Sequence, residues 1–230
     1  MCGRYSLTSP EEAMRQLFDM QTEVWMQPRY NIAPSQIAPV IRLKDNDTEF
    51  TLDSMTWGLI PNWSKTLPRG NGQINARSET VAQKPMFRSA YRQRRCLVPT
   101  DGFYEWQKAE TYKQPYWISR TDNVPFVFAG LWDTWEDDQN NKGISFAILT
   151  TDASEELRPI HHRMPVILRP TEFDVWLDPN AMPEPEIFEP AYGPKMTARP
   201  VANRVNNPRN DDIACISEAR HAPAQGQLFY

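Results

Sequence analysis

The chain has 230 residues, 40% hydrophobic and 23% charged, which suits one folded domain with a sizeable core. Its net charge of −4 speaks against a uniformly basic nucleic-acid binder. No run approaches the roughly 18 apolar residues of a membrane span, no secretory leader pattern opens the chain, and three scattered cysteines exclude a disulfide framework, so a cytoplasmic protein is expected.

The charge is segregated. Between Trp63 and Arg95, Lys65, Arg69, Arg77, Lys84, Arg88, Arg92, Arg94 and Arg95 face one acid, Glu79. Between Thr171 and Pro190 lie Glu172, Asp174, Asp178, Glu184, Glu186 and Glu189 with no base. The basic run is a candidate surface for a polyanion, and equally an ordinary solvated face.

In chain order, Ser9-Pro10-Glu11-Glu12 predicts a helix start: Ser9 as cap, Pro10 at the first helical position and Glu12 completing a capping box. Met14, Leu17 and Phe18 give that helix one apolar face. Strand-like runs follow at Val40–Leu43, Phe50–Trp57, Cys96–Val98, Phe103–Trp106, Tyr116–Ser119, Phe126–Ala129 and Phe146–Thr150. Further helices are expected near Ser154 and Thr171. The 21 prolines are read as rigid connections between runs, as at Ala33-Pro34, Ile60-Pro61 and Val98-Pro99. Without regular β-α alternation, the expected class is α+β: a single domain over residues 1–230, with a curled, mostly antiparallel, barrel-like sheet flanked by helices. The polar tail after about Asn203, in particular after about 210, is expected to be partly flexible. Trp25, Trp117, Trp132, Trp135 and Trp176 are expected to be structural, and nothing suggests more than a monomer.

The start, Met1-Cys2-Gly3-Arg4, carries the chemistry. Methionine removal before a small residue would leave Cys2 with a free α-amine and a thiol on neighbouring carbons. An α-amine titrates near ~8 and a thiol near ~8.5, so both have reactive forms at neutral pH. An amine condenses with an aldehyde to a Schiff base, and the neighbouring thiol closes a thiazolidine ring on the same carbon. An abasic deoxyribose in its open form is such an aldehyde, and it needs no base to be flipped out. The same group also serves N-terminal nucleophile amidases, where the amine is the base for the thiol.

Six segments widen the reading: Met1-Cys2-Gly3-Arg4-Tyr5, Tyr30-Asn31-Ile32-Ala33-Pro34-Ser35, Trp57-Gly58-Leu59-Ile60-Pro61, Ile74-Asn75-Ala76-Arg77-Ser78-Glu79-Thr80, Asp101-Gly102-Phe103-Tyr104-Glu105-Trp106 and Ile160-His161-His162-Arg163-Met164-Pro165. In that order and spacing the chain resembles the SOS-response-associated peptidase (SRAP) family, from residue 2 to about Asn210. The resemblance implies an abasic-site sensor that crosslinks to single-stranded DNA through Cys2 and removes any residues before it. It implies that Asn75 orients the adduct, Glu105 moves protons during Schiff-base formation, and His161 opens the sugar ring and stabilises or reverses the link. A carboxylate beside the amine suits that chemistry if its pKa is raised, and imidazole titrates near ~6.5. Where many members carry an acid after the histidine, this chain has His162; in an extended segment the two rings would point to opposite sides.

Arg4, Arg77 and Arg163 are candidate phosphate contacts, with internal salt bridges as the alternative. Trp63 and Trp106 are candidate stacking surfaces for bases. Pro34 is a candidate wedge beside the lesion, by family analogy. Asn206-Asn207 suggests a turn. No P-loop, dinucleotide loop or nucleophile elbow is present, and His161-His162 is poor metal spacing, so no metal or cofactor is expected. Two rival functions remain at this stage: a thiol peptidase or amidase using Cys2 and His161 on other substrates, and a non-covalent single-strand binder.

Overall fold

A computed structural model describes residues 2–9, 11–18, 27–44, 49–65, 70–108, 110–190 and 195–219. Expectations for Met1, Pro10, Trp25 and Arg69 lie outside them. The strands in chain order are β1 (Tyr5–Leu7), β2 (Arg29–Ile32), β3 (Ile37–Leu43), β4 (Phe50–Trp57), β5 (Asn75–Arg77), β6 (Arg95–Thr100), β7 (Gly102–Lys108), β8 (Lys113–Arg120), β9 (Phe126–Glu136), β10 (Lys142–Asp152), β11 (Arg163–Pro165), β12 (Ile167–Leu168) and β13 (Met196–Pro200). The α-helices are α1 (Glu11–Phe18), α2 (Arg88–Gln93) and α3 (Phe173–Leu177). The architecture is α+β, as the sequence pattern predicts.

One sheet closes on itself. Its strands run β10-β4-β3-β6-β9, and β9 pairs back onto β10 from Gly130–Ile148 to Glu136–Lys142. Most pairings are antiparallel; β4 and β5 lie parallel to β10. Closure removes open edges and encloses a core. Trp57 stacks on Phe146 with ring centroids 6.3 Å apart, and Tyr5 meets Trp57 edge-on at 5.2 Å. A second, wholly antiparallel sheet has the order β13-β8-β7-β1-β2. Strand β7 has two apolar sides: Phe103 joins the main core, while Tyr104 packs with Trp117, Val201 and Val205.

Several local readings change. The segment after Ser154 forms consecutive turns rather than a helix: the amides of Leu157 and Arg158 bond the Ser154 carbonyl, and those of Ile160 and His161 bond Leu157. Pro159 lacks the N–H that a continuing helix would use. The helix expected near Thr171 is present as a 3-10 turn, Pro170–Glu172, leading into α3. Glu172 caps it, its carboxylate accepting from the Arg169 amide at 2.7 Å and from Arg169 Nε at 2.9 Å. Pro39, Pro99, Pro115, Pro165 and Pro200 lie inside strands, not between them. Ser9 is held by Asp101, and Glu12 accepts from Gln16 at 3.1 Å.

The expected loose tail is packed in as far as Glu218. Val205 and Cys215 are buried, and Val201 bridges to Glu218. Fully buried Asn31 explains the anchoring: its Nδ2 donates to the carbonyls of Val205, Asn207 and Asn210 at 3.2, 3.1 and 2.8 Å. Asp211 in turn accepts from Arg29 and from the amides of Tyr30 and Asn31. A polar composition therefore did not mean a solvated chain, because one amide side chain satisfies three turn carbonyls.

Candidate functional site

Strand register brings Cys2 and Glu105 together. Tyr5 lies opposite Phe103, and the Tyr104 amide bonds the Arg4 carbonyl at 3.0 Å. The chain before Arg4 leaves the strand, and Cys2 lies within electrostatic reach of Glu105. Glu105 is only 4% exposed, so it is not the solvent-facing residue its strand position alone would allow. Cys2 is fully buried and its Sγ is 3.7 Å from the Arg4 carbonyl. Burial pushes its thiol far above the usual range, and the nearby Glu105 charge adds to that shift. In this form Cys2 holds a neutral thiol, not a thiolate.

Asn75 reaches the same residue from the barrel. It opens β5, a strand of three residues held parallel to Ile148–Thr150 of β10. Ala76 points into the core, so Asn75 and Arg77 share the opposite face. Asn75 Nδ2 donates to the Cys2 carbonyl at 2.8 Å. Its Oδ1 is buried without a hydrogen-bond partner among the described residues. The approach of 57–59 to 71–73 requires glycine at 58: φ is +136°, and a Cβ would lie 1.7 Å from the Asn71 carbonyl oxygen.

His161 comes from the turn before β11. With Glu105 and Arg163 it lines one narrow crevice against Phe103, Ile118, Leu157 and Ile160. Its Nδ1 lies 3.0 Å from the Arg163 amide nitrogen and 3.1 Å from the Arg163 carbonyl oxygen. Neutral imidazole accepts from the amide there, and imidazolium donates to the carbonyl, so a partner exists in either state. His162 does not point away as an extended segment requires. The two rings stack with centroids 4.4 Å apart and 26° between planes, because the chain is turning here.

The four candidate reacting residues thus fall into linked pairs: Cys2 with Asn75 and Glu105, and Glu105 with His161. The proposed DNA contacts divide. Trp63 is 57% exposed, on a loop tied to the barrel by the Asn62 amide bonding Asp133 at 3.1 Å. Arg77 is exposed beside Asn75, and Pro34 is half-buried in the turn after β2. Arg4 turns inward to Asn31 Oδ1 at 3.1 Å and the Val205 carbonyl at 2.6 Å. Trp106 Nε1 donates to Asn206 Oδ1 at 2.7 Å, packing against the C-terminal segment. Arg163 is only 7% exposed and held by acids. The salt-bridge alternative describes Arg163, and contacts to the C-terminal segment describe Arg4.

The basic run is also partly spent. Arg95 is buried and donates to carbonyls of Tyr91, Trp176, Asp178 and Ala181, drawing the acidic segment against the body through its main chain. Arg94 pairs with Asp133 at 3.1 Å. Residues passed over in the sequence prove central. Asp101 accepts from the Ser6 hydroxyl and from the amides and hydroxyls of Thr8 and Ser9, fixing the chain just after the site. Glu79, the single acid in the basic run, pairs with Arg163. Its isolation among bases was the signal that marked it.

Comparison with known proteins places the chain in a family. Residues 1–208 match the family model described as SOS response associated peptidase (SRAP). The chain is 35% identical over 228 residues to a Bacillus subtilis protein named abasic site processing protein YoaM, covering 96% of this chain and all of that one. It is 34% identical over 221 residues to the abasic site processing protein HMCES of Xenopus tropicalis, covering 83% of this chain and 66% of that one. A crystal structure of a Bacteroides thetaiotaomicron protein superposes with a TM-score of 0.78 at 27% identity, covering 95% of this chain and all of that one. With its motifs in order, the family model matched over residues 1–208 and a relative 35% identical along its whole length, the chain belongs to the SRAP family.

Proposed function

We propose that this protein captures abasic sites in single-stranded DNA by forming a thiazolidine through Cys2, once Met1 has been removed. The observation that carries the reading is the convergence on Cys2 of Asn75, hydrogen-bonded to its carbonyl, and of Glu105, close enough to disfavour its thiolate. The abasic-site relatives supply the substrate class.

The order of steps follows the two nucleophiles: Schiff-base formation belongs to the amine and ring closure to the thiol. The amine attacks the sugar aldehyde first, forming a C–N bond; loss of water then gives the Schiff base. Glu105 takes a proton from the attacking nitrogen and returns one to the departing water. The neutral thiol then adds across C=N: sulfur bonds the carbon and the thiol proton ends on nitrogen, with Glu105 as the carrier. His161 exchanges a proton with the sugar ring oxygen as the ring opens, its Nδ1 partnered by Arg163 in both protonation states. Removal of Met1 frees both the Cys2 nitrogen and the volume of the lost residue beside it. Self-removal of residues before Cys2 remains part of the proposal, as does slow strand cleavage by β-elimination from the Schiff base.

The test is incubation with single-stranded DNA carrying one abasic site. The wild-type protein gives a heat-stable shifted band; Cys2→Ala gives none, and neither does protein whose α-amine is acetylated. Peptide cleavage in trans without adduct formation would replace this reading with the peptidase one. Salt-sensitive binding unaffected by Cys2→Ala, again without adduct, would leave a non-covalent binder.

A further inference from the structure

We infer that Glu79 is a positioning residue of the site, acting through Arg163 to hold His161 and Asn75 at a fixed separation. The inference rests on the proposed roles of those two residues. Asn75 belongs to β5 and His161 immediately precedes β11, and both strands flank the end of β10. Thr150 pairs with Arg77 on one side and Pro165 on the other, and Asp152 pairs with Arg163. Glu79, two residues past β5, reaches across to β11. Its two carboxylate oxygens accept from Arg163 Nη1 and, at 3.0 Å, from Nη2. Such a two-pronged pairing fixes direction as well as distance.

Both terminal nitrogens of Arg163 are committed. Nη1 also donates to Asp152 at 2.7 Å, and Nη2 to the Thr150 carbonyl at 2.7 Å. The Ser78 amide bonds the same Thr150 carbonyl at 2.9 Å, so the three strands meet at one oxygen. The remaining nitrogen, Nε, is buried without a hydrogen-bond partner among the described residues. Both terminal nitrogens are taken by protein acceptors, at acids that themselves reach the surface. The main chain of Arg163 touches His161: the Arg163 amide and carbonyl both face Nδ1. Holding Arg163 therefore holds the imidazole, with the neutral ring keeping its proton on Nε2 and presenting that nitrogen away from the backbone. Burial works against the Arg163 charge, while Glu79 and Asp152 more than offset it; Arg163 holds the Glu79 carboxyl below its ordinary range.

Glu79 is about half exposed, so Glu79→Gln keeps shape and removes only the charge that orients Arg163. At saturating abasic DNA, Glu79→Gln is expected to slow adduct formation roughly tenfold or more, as misplacement of a reacting group does. Affinity for intact single-stranded DNA stays unchanged, and Glu79→Asp recovers part of the rate. Nitrogen-15 NMR of the histidine rings gives a reading without DNA: wild-type neutral His161 carries its proton on Nε2, and Glu79→Gln shows a mixture of tautomers. An unchanged saturating rate with an unchanged tautomer overturns the inference. So does a defect confined to DNA affinity, which direct phosphate binding by this pair would produce. A wild-type protein that forms no adduct defeats the functional reading instead, and the tautomer comparison still decides the role of Glu79.

Discussion

Asn75 Nδ2 donates to the carbonyl oxygen of Cys2 at 2.8 Å, joining the barrel to the first residue of the proposed mature chain. Removing one partner of a buried hydrogen bond costs the bond, at about 1 kcal/mol, and strands the other group at a similar cost. Asn75→Ala is therefore expected to lower the rate of adduct formation about tenfold or more. Asn75→Asp is expected to be worse, because it sets a carboxylate oxygen against the carbonyl. Time courses of the shifted band at saturating DNA check both, and an Asp variant as fast as wild type would remove Asn75 from the site.

Trp63 separates binding from chemistry. It is exposed on a tethered loop and contributes little to the core. Stacking of a base on an aromatic ring is worth about 1–3 kcal/mol. Trp63→Ala should weaken binding to intact single-stranded DNA by roughly fivefold to a hundredfold while leaving the melting temperature unchanged. Fluorescence anisotropy and a thermal melt read the two quantities; equal affinity in the variant rejects the stacking role.

Asp101 anchors the segment that follows the reactive residue. Its carboxylate accepts from Ser6, Thr8 and Ser9, and hydrogen bonds to charged groups contribute about 1.5–3 kcal/mol apiece. Asp101→Ala leaves several buried donors without a partner. The expected result is a loss of about 3 kcal/mol or more in unfolding free energy, together with slower adduct formation as Cys2 loses its register. Urea unfolding measures the first, and a stability within error of wild type would contradict the anchoring role.

The thiols predict an alkaline weakness. Burial raises the folded-state pKa values of Cys2 and Cys96, whereas unfolded thiols ionise near ~8.5. A raised folded pKa means that the stabilisation is complete below the unfolded value and is lost as pH rises above it. From about pH 8.5 to 10 each enclosed thiol should cost up to roughly a tenfold fall in the folding constant per pH unit. Cys96→Ala should lower overall stability yet flatten this slope, because one titrating thiol is gone. Urea midpoints across that range provide the comparison, and parallel curves for the two proteins would refute it.

The long strands were legible and the short ones were not. Phe50–Trp57 was bounded to the residue by its apolar content, and β6 to β10 each contain the run that predicted them. The missed strands are β1, β2, β5, β11, β12 and β13; β1, β5 and β11 have three residues each, too few for any periodicity to register. Those three are the strands on which or beside which Cys2, Asn75 and His161 sit. Proline at 159 turned an expected helix into the turns that carry His161, and those turns stack His161 on His162.

The sequence by itself determined the fold class, the family resemblance and the proposed aminothiol at Cys2, because these follow from residue type and order. Only the tertiary structure decided which charges are available. Arg163 and Arg95 are exposed or enclosed according to partners up to 86 positions away, and no local pattern encodes that. It also decided that the thiol is enclosed and its pKa raised, since desolvation depends on everything packed around a side chain and not on its neighbours in the chain.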